Sequence, residues 1–432
     1  MEKMYMKILL IMPHPNPKKN FLNKFSYPCL TLQQVSAITP KEHSVEIIDE
    51  RYKDIDFNKN YDLVGISCLT YNSLRGYKIS NEFRKQGVPV VLGGYHPTLL
   101  PDEAKQHADS IVIGEAELTW PQLLKDLENR KLKPFYKADK LVESELIPPA
   151  RHDIGIYTYM EAIQASRGCP TGCEFCAMQK VEGARFRGRL VDHIINEMKT
   201  IKSKVIFFAD ASLTISPSYS KSLFREMSPL NKKFHCFGNI NVLSRDDELL
   251  KISSEAGVYK WYMGVESISQ ENINQAGKQT NKVENYEKAI KKIRDHGMNV
   301  VGFFMFGFDN DTPDTFHETL KAMYEWDLDE VSFSIVTPYP STRLFERLEK
   351  EGRITSYDWS RYAEGTVNFK PKKMTEKELF EGIREIAAEF YSIKNCLKRS
   401  FNPRNRGWIK PIMTFGGNLA MRSFYKREKL QI

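Results

Sequence analysis

The sequence predicts an α/β protein built from two successive parallel-sheet domains and a helical C-terminal region. Three observations predict it. Short, continuously apolar segments alternate with stretches of helical spacing from residue 7 to about 128. The alternation stops over a polar, proline-bearing stretch and resumes from Glu161 to about Arg347. Continuous buried strands separated by helices are the pattern of sheets covered on both faces. At 432 residues the chain is long enough for two or three domains. The expected division is 1–140, a linker at 141–160, a second domain at 161–347 and a helical region at 348–432.

In the first domain, Lys7–Met12, Ser44–Asp49, Leu63–Ser67, Val88–Leu92 and Ser110–Ile113 read as strands. Thr31 to Thr39 and Leu74 to Gln86 carry helical spacing between them. Ligands of doubly wound sheets bind beyond the carboxyl ends of the strands. The loops there are Ser67-Cys-Leu69, Gly93-Gly-Tyr-His96 and Gly114-Glu-Ala-Glu117. Gly93-Gly94 leaves room for a ligand to approach backbone N–H groups. Together these features resemble a flavodoxin-like cobalamin-binding domain. The resemblance implies that Ser67, Leu69, Gly93 and Gly94 cradle the cofactor's nucleotide tail. The histidine motif D-x-H-x-x-G that ligates cobalt from below is missing. His14, in a Pro-His-Pro-Asn-Pro setting after the first strand, is the nearest histidine to that place; it and His96 also read as ordinary loop histidines.

Residues 129 to 160 carry Pro134, Pro148 and Pro149 and read as a crossing linker. Beyond it lies the most specific motif of the chain, Cys169-Pro-Thr-Gly-Cys173-Glu-Phe-Cys176. Three of seven cysteines fall within eight residues, with glycine and proline between them, so the loop can turn all three sulfurs inward. Three thiolates on one tight curl suit an iron–sulfur cluster with one iron open to another ligand. Structural zinc is the alternative; it draws four ligands from two such pairs, and the sequence holds no second pair.

At these residues the chain resembles the radical SAM superfamily, in which C-x3-C-x2-C holds a four-iron cluster and S-adenosylmethionine chelates the fourth iron. The resemblance implies that Cys169, Cys173 and Cys176 are the cluster ligands and that Phe175 packs near the adenine. It also implies a partial (β/α)6 barrel. Its strands are expected at Ala162–Ala165, Val205–Ala209, His235–Asn241, Trp261–Glu266, Val300–Phe306 and Glu330–Thr337, with helices such as Val191–Lys202 and Val283–His296 between them. Reacting groups of barrels gather at the carboxyl ends of strands. There stand Asp210, where the family binds the S-adenosylmethionine amino group, Asn239, and Glu266 in the Gly-Val-Glu-Ser motif. Carboxylates suit a cationic sulfonium and ammonium. Asp210 departs from the family's Gly-Gly-Glu form, and helix capping or a turn hydrogen bond is the ordinary reading of Asp210 and Asn239. The aromatic fifth strand, Val301 to Phe308, divides between lumen and helical layer. Thr337-Pro-Tyr-Pro-Ser-Thr342 resembles the T-P-x-P-G-T loop of cobalamin-associated relatives, with Ser341 in place of glycine, which suggests a looser loop; Arg343 after it reads as a surface arginine or an anion contact.

Residues 353 to 396 read as helical and mixed-charge. From Lys394 onward ten Lys/Arg face one acid, although the whole chain carries only +8. Aromatics interleaved with this basic stretch suit an anionic membrane surface, a packed cap or, less well, phosphates; without a nucleic-acid module, no nucleic-acid partner is expected. Four scattered cysteines and an oxygen-sensitive cluster suit a reducing cytoplasm. The resemblance implies reductive cleavage of S-adenosylmethionine to a 5′-deoxyadenosyl radical that functionalises an unactivated carbon. Cobalamin-dependent methylation of a lipid, isoprenoid or tetrapyrrole is one form; a cobalamin-free ring-forming enzyme and a non-catalytic cobalamin or cluster sensor are the rivals. The implied partners are a small-molecule substrate and a reducing protein such as flavodoxin or ferredoxin.

Overall fold

The structure is a computed structural model that describes residues 5–15, 28–142, 159–363, 365–401 and 409–427. The N-terminal sheet contains β1 (Lys7–Met12), β2 (Ser44–Asp49), β3 (Leu63–Ser67), β4 (Val90–Gly93), β5 (Ser110–Ile113) and β6 (Phe135–Lys137), all parallel, in the order β2-β1-β3-β4-β5-β6. Alternation along β1 divides its residues between two cores. Leu9 and Ile11 pack with Tyr77, Ile79 and Phe83 on one face, while Ile8 and Leu10 pack with Leu32, Trp120 and Leu123 on the other. Both faces are therefore covered, as the apolar runs require. β6 lies inside the expected first domain, in the polar stretch from 129 that reads as the start of the crossing linker. Its one buried residue, Tyr136, donates its hydroxyl to Asp126 and receives the Lys133 N–H, a signal too short to stand out among lysines and prolines.

The chain then forms β7 (Met160–Ile163) and the short antiparallel pair β8 (Ser166–Arg167) and β9 (Arg187–Gly188). Five further strands complete the second parallel sheet: β10 (Val205–Phe208), β11 (Lys233–Gly238), β12 (Val258–Glu266), β13 (Asn299–Phe306) and β14 (Glu330–Ile335), in the order β14-β13-β12-β11-β10-β7. Outward residues such as Phe208, Trp261, Met263, Phe304 and Phe306 build the large core with the surrounding helices. Inward residues Phe207, Phe237, Tyr262 and Phe303 meet one another at ring separations of 5.4–5.9 Å. The aromatic strand β13 is thus shared: Phe303 faces the lumen, while Phe304 and Phe306 pack on Trp326 and Phe316.

β14 is an edge strand, and the C-terminal region covers it. The Tyr391 hydroxyl bonds both the N–H and the carbonyl of Val331, and the Tyr425 hydroxyl receives the Phe333 N–H at 2.7 Å. Two phenols thereby satisfy backbone groups that would otherwise template another strand. Tyr425 belongs to the helix Ile409–Arg427, so much of the basic tail is a packed cap. The expected helicity of 353–396 holds only from Glu376, in the helices Glu376–Phe390 and Ile393–Ser400. Residues before it form loops with one short turn at Trp359–Arg361, which packs its tryptophan against the first domain. No helix among the described residues is long and apolar enough to cross a membrane.

Candidate active site

The cysteine loop is launched from β8 and held from several sides. Asp210, just past β10, is 3% exposed and accepts the Ala165 N–H at 3.0 Å, the Ser166 N–H and the Ser166 hydroxyl at 2.6 Å. Burial pushes its carboxyl up to about 7 against the pull of these donors. Its observed task is to brace the strand that leads into the loop. Gly168 then takes a left-handed φ of 80°, and a Cβ there would collide with the Arg185 carbonyl, so only glycine makes this turn. Within the loop, Cys169 donates its N–H to Gly183 at 3.2 Å, and Gln179 caps the Cys169 carbonyl at 2.7 Å. Glu174 pairs with Arg347 at 2.8 Å, and Arg347 continues to Asp309 at 2.9 Å. Arg343 is exposed, as its surface reading expects, and donates to the Gly172 carbonyl.

All three cysteines are free and half-buried. Burial pushes the Cys173 thiol up to about 12, partly relieved by Lys278, and raises Cys176 as well. Iron binding must therefore displace these protons, as metal capture by thiols does. Among the described residues no three His, Cys, Asp or Glu side chains converge as the shell of one metal ion would. The three thiols on one curl are the donor set a four-iron cluster takes, one at each of three corners.

Glu266 ends β12 on left-handed backbone (φ 62°) at a register shift between β12 and β13, and is buried. A non-glycine residue held there carries about 1–3 kcal/mol of strain, which the surrounding contacts must outweigh. It pairs with Lys278, whose Nζ also donates to the Gly264 carbonyl at 2.9 Å. Both partners lie within electrostatic reach of Cys173 and Cys176. Asn239 caps the helix Ile240–Arg245, accepting the Asn241 and Val242 N–H groups, and donates to Asn281 at 2.9 Å. Asn281 in turn donates to the Gly264 carbonyl at 2.9 Å, so Asn239 reaches the Glu266 corner through one side chain. Phe175 packs half-buried on the barrel core. Lys278, Asn281 and Arg347 were not read from the sequence; the polar run Gly277-Lys278-Gln-Thr-Asn281 just after the Gly-Val-Glu motif was the available signal for the first two.

Beside the residues that flank this loop lies a cavity of about 470 Å³. One wall is the carboxyl end of the first sheet: Ser67, Leu69, Gly93, Gly94 and Gly114 line it, with Leu10, Val91, Val112 and Trp120 deeper in. The other wall comes from the barrel domain, through Gln164, Arg167, Met178, Glu182 and Ala209. Gly94 has φ 92°, and a Cβ there would meet the Cys68 carbonyl at 2.8 Å and Ser67 Oγ at 2.9 Å. This mostly apolar, glycine-edged cleft lies at the carboxyl ends of the strands, where open parallel sheets bind their ligands. His14 also lines the cleft, whereas His96 is buried away from it against Tyr77, Glu103 and Trp359.

A radical SAM superfamily model matches residues 163–323, a B12 binding domain model matches 33–124, and a domain of unknown function matches 342–406. The bacteriochlorophyllide d C-12(1)-methyltransferase of Chlorobaculum tepidum is 31% identical over 397 residues, covering 88% of this chain and 86% of that protein. The chain belongs to the radical SAM superfamily. The C-8(2)-methyltransferase of the same organism is also 31% identical, covering 93% of this chain and 94% of its own length. Among solved structures, the radical SAM methyltransferase TsrM from Kitasatospora setae, with cobalamin and a [4Fe–4S] cluster bound, superimposes with a TM-score of 0.73 over 98% of this chain and 100% of its own, at 15% identity. That likeness is one of fold. This radical SAM enzyme therefore has a four-iron cluster, S-adenosylmethionine and cobalamin as its cofactors.

Proposed function

We propose that the enzyme is a cobalamin-dependent C-methyltransferase acting on a planar, tetrapyrrole-like ring. The observation that carries this reading is a cleft walled on one side by the B12-binding sheet and on the other by Gln164, Arg167, Met178 and Glu182, which flank the loop bearing the three cysteines. Bound there, the cofactors supply a carbon-centred radical and a transferable methyl group. The chain's own residues hold, orient and exclude. Cys169, Cys173 and Cys176 hold the cluster, and Ser67, Leu69, Gly93 and Gly94 edge the nucleotide-tail cleft. Glu266 is the carboxylate assigned to the S-adenosylmethionine cation, Phe175 packs by its adenine, and Asp210 and Asn239 support that site through the contacts above. Phe207, Phe237, Tyr262 and Phe303 line the lumen with flat apolar faces, which suit stacking of a conjugated ring. A small reducing protein of flavodoxin or ferredoxin type delivers the electron.

A lipid-like substrate is the second reading. Exposed Phe401, Ile412 and Phe424 in the basic C-terminal region favour it, since apolar side chains among lysines and arginines suit an anionic membrane surface. One anaerobic assay tests both. Protein reconstituted with iron, sulfide and cobalamin is given S-adenosylmethionine, a strong reductant and either a bacteriochlorophyllide-type macrocycle or a hopanoid. The expected result is 5′-deoxyadenosine and S-adenosylhomocysteine in equal amounts, with a methylated macrocycle that requires cobalamin. The variant Cys169→Ala/Cys173→Ala/Cys176→Ala should give none of these. Methylated hopanoid instead would move the substrate to the lipid reading, and product formed without cobalamin would overturn methyl transfer.

A further inference from the structure

The two walls of the cleft are tied together by a buried cluster of charged and phenolic side chains. Arg167, two residues before the first cysteine ligand, reaches Glu115 at 3.0 Å and Glu117 at 2.7 Å, both in the loop after β5. Arg187, opposite Arg167 in the β8–β9 pair, holds Glu115 at 2.8 Å. Tyr95, the residue after Gly93-Gly94, sits 3.4 Å through its hydroxyl from Glu182, and Glu182 accepts the Gly168 N–H at 3.3 Å. Glu115, Glu117 and Tyr95, beside the cleft-edging glycines, are thereby joined to Arg167, Arg187 and Glu182, which hold the β8–β9 pair and the turn that enters the cysteine loop. Glu115, Glu117, Arg167, Glu182 and Tyr95 also line the cleft itself.

The domains touch a second time, away from the cleft. Glu103 receives the Trp359 indole N–H at 2.9–3.0 Å and the Tyr77 hydroxyl at 3.0 Å, and Ser341 donates to the Leu99 carbonyl at 2.9 Å. Glu103, Tyr77 and Trp359 do not line the cleft. Buried ion pairs add little net stability because desolvation offsets their attraction, but they fix one geometry, since only one arrangement leaves every charge paired. An apolar contact would join two domains equally firmly while tolerating small rotations.

We propose that Tyr95, Glu117 and Arg167 are positioning residues that set the distance and angle between the bound cobalamin and the cluster, whereas the Glu103–Trp359 contact only holds the domains together. The proposal rests on cobalamin occupying the cleft and the cluster the adjoining cysteine loop, as the proposed function requires. Its test uses the reconstituted holoenzyme and three variants: Glu117→Gln, Tyr95→Phe and, for the remote contact, Glu103→Gln. Cobalamin and iron content are measured by absorbance and assay, and the magnetic interaction between cob(II)alamin and the reduced cluster by electron paramagnetic resonance. S-adenosylhomocysteine formation is followed alongside. Glu117→Gln and Tyr95→Phe should keep both cofactors, show an altered cob(II)alamin–cluster interaction and form S-adenosylhomocysteine at least fivefold more slowly. Glu103→Gln should melt at a lower temperature with the native interaction intact. An unaltered interaction in Glu117→Gln and Tyr95→Phe, or the same alteration in Glu103→Gln, overturns the proposal alone. Native protein that takes up cluster but no cobalamin overturns the proposed function and this inference together.

Discussion

The two sheets build their carboxyl ends by opposite means. The first sheet ends in Ser67, Gly93, Gly94 and Gly114 and makes room by omitting side chains. The second ends in Asp210, Asn239 and Glu266 and places charged or polar groups, each tied to neighbours. Steric omission suits a large cofactor held mainly by shape. Charge placement suits a small cationic one held by a few directed contacts. The first kind of site is therefore broken by filling it, and the second by removing a partner.

Filling gives the largest expected effect. Gly94→Val adds a branched side chain where even a Cβ meets backbone at 2.8 Å, on backbone that L residues rarely adopt. Cobalamin uptake, read from absorbance of the reconstituted protein, should be lost while cluster content stays. Retained cobalamin would show that the glycine edge is not the cradle.

Removing a partner comes next. Arg347→Met leaves Glu174 of the cysteine loop and Asp309 without their shared cation. Asp309 keeps Arg353 and Lys372, which together with Arg347 hold its carboxyl well below the usual carboxylate range. Because Arg347 is partly solvated, the loss should be about 2 kcal/mol, below the range for fully buried pairs. Urea denaturation measures it, and reduced iron content should accompany it.

The charged interior also implies a pH dependence. His235 faces the lumen beneath Tyr262, and burial, reinforced by Lys260, lowers its imidazole to about 3. The folded state thus keeps it neutral while the unfolded chain binds a proton below its ordinary value near 6.5. Its contribution is present above 6.5 and is lost as pH falls from there toward 3. Between pH 6 and 4, His235→Phe should lose about 1.4 kcal/mol less stability per pH unit than the native protein, in parallel urea titrations. Equal slopes would show that the imidazole titrates normally in the fold.

The smallest effect is expected at Ser341. It replaces the glycine of the resembled loop yet keeps a φ of 60°, so the loop is not looser as its sequence suggests. Its hydroxyl bond to Leu99 offsets the strain. Ser341→Gly relieves the strain and removes the bond, so stability should change by less than about 1 kcal/mol. A larger loss on thermal melting would make this contact a principal domain tie.

Most strands were legible because buried parallel strands are continuous apolar runs, and β1, β2, β3 and β5 begin and end where those runs do. The cysteine loop was legible because its chemistry is local. β6 and the loops of 353–375 were not: β6 buries one tyrosine among charges, and Trp359, Tyr362, Val367 and Phe369 are spaced with neither a helical nor a strand period. Asp210 and Asn239 were legible as polar groups at strand ends, but their bracing and capping contacts depend on which backbone each one faces.

By itself, then, the sequence determined what short-range chemistry can specify: two blocks of alternating strands and helices, and three cysteines on one curl. Tertiary structure alone decided that Arg167 meets Glu117 across 50 residues and that Arg347 meets Glu174 across 173. It also decided that Tyr425 covers a strand 92 residues away. Charge pairing and edge capping depend on distance in space, which folding sets and residue order does not record.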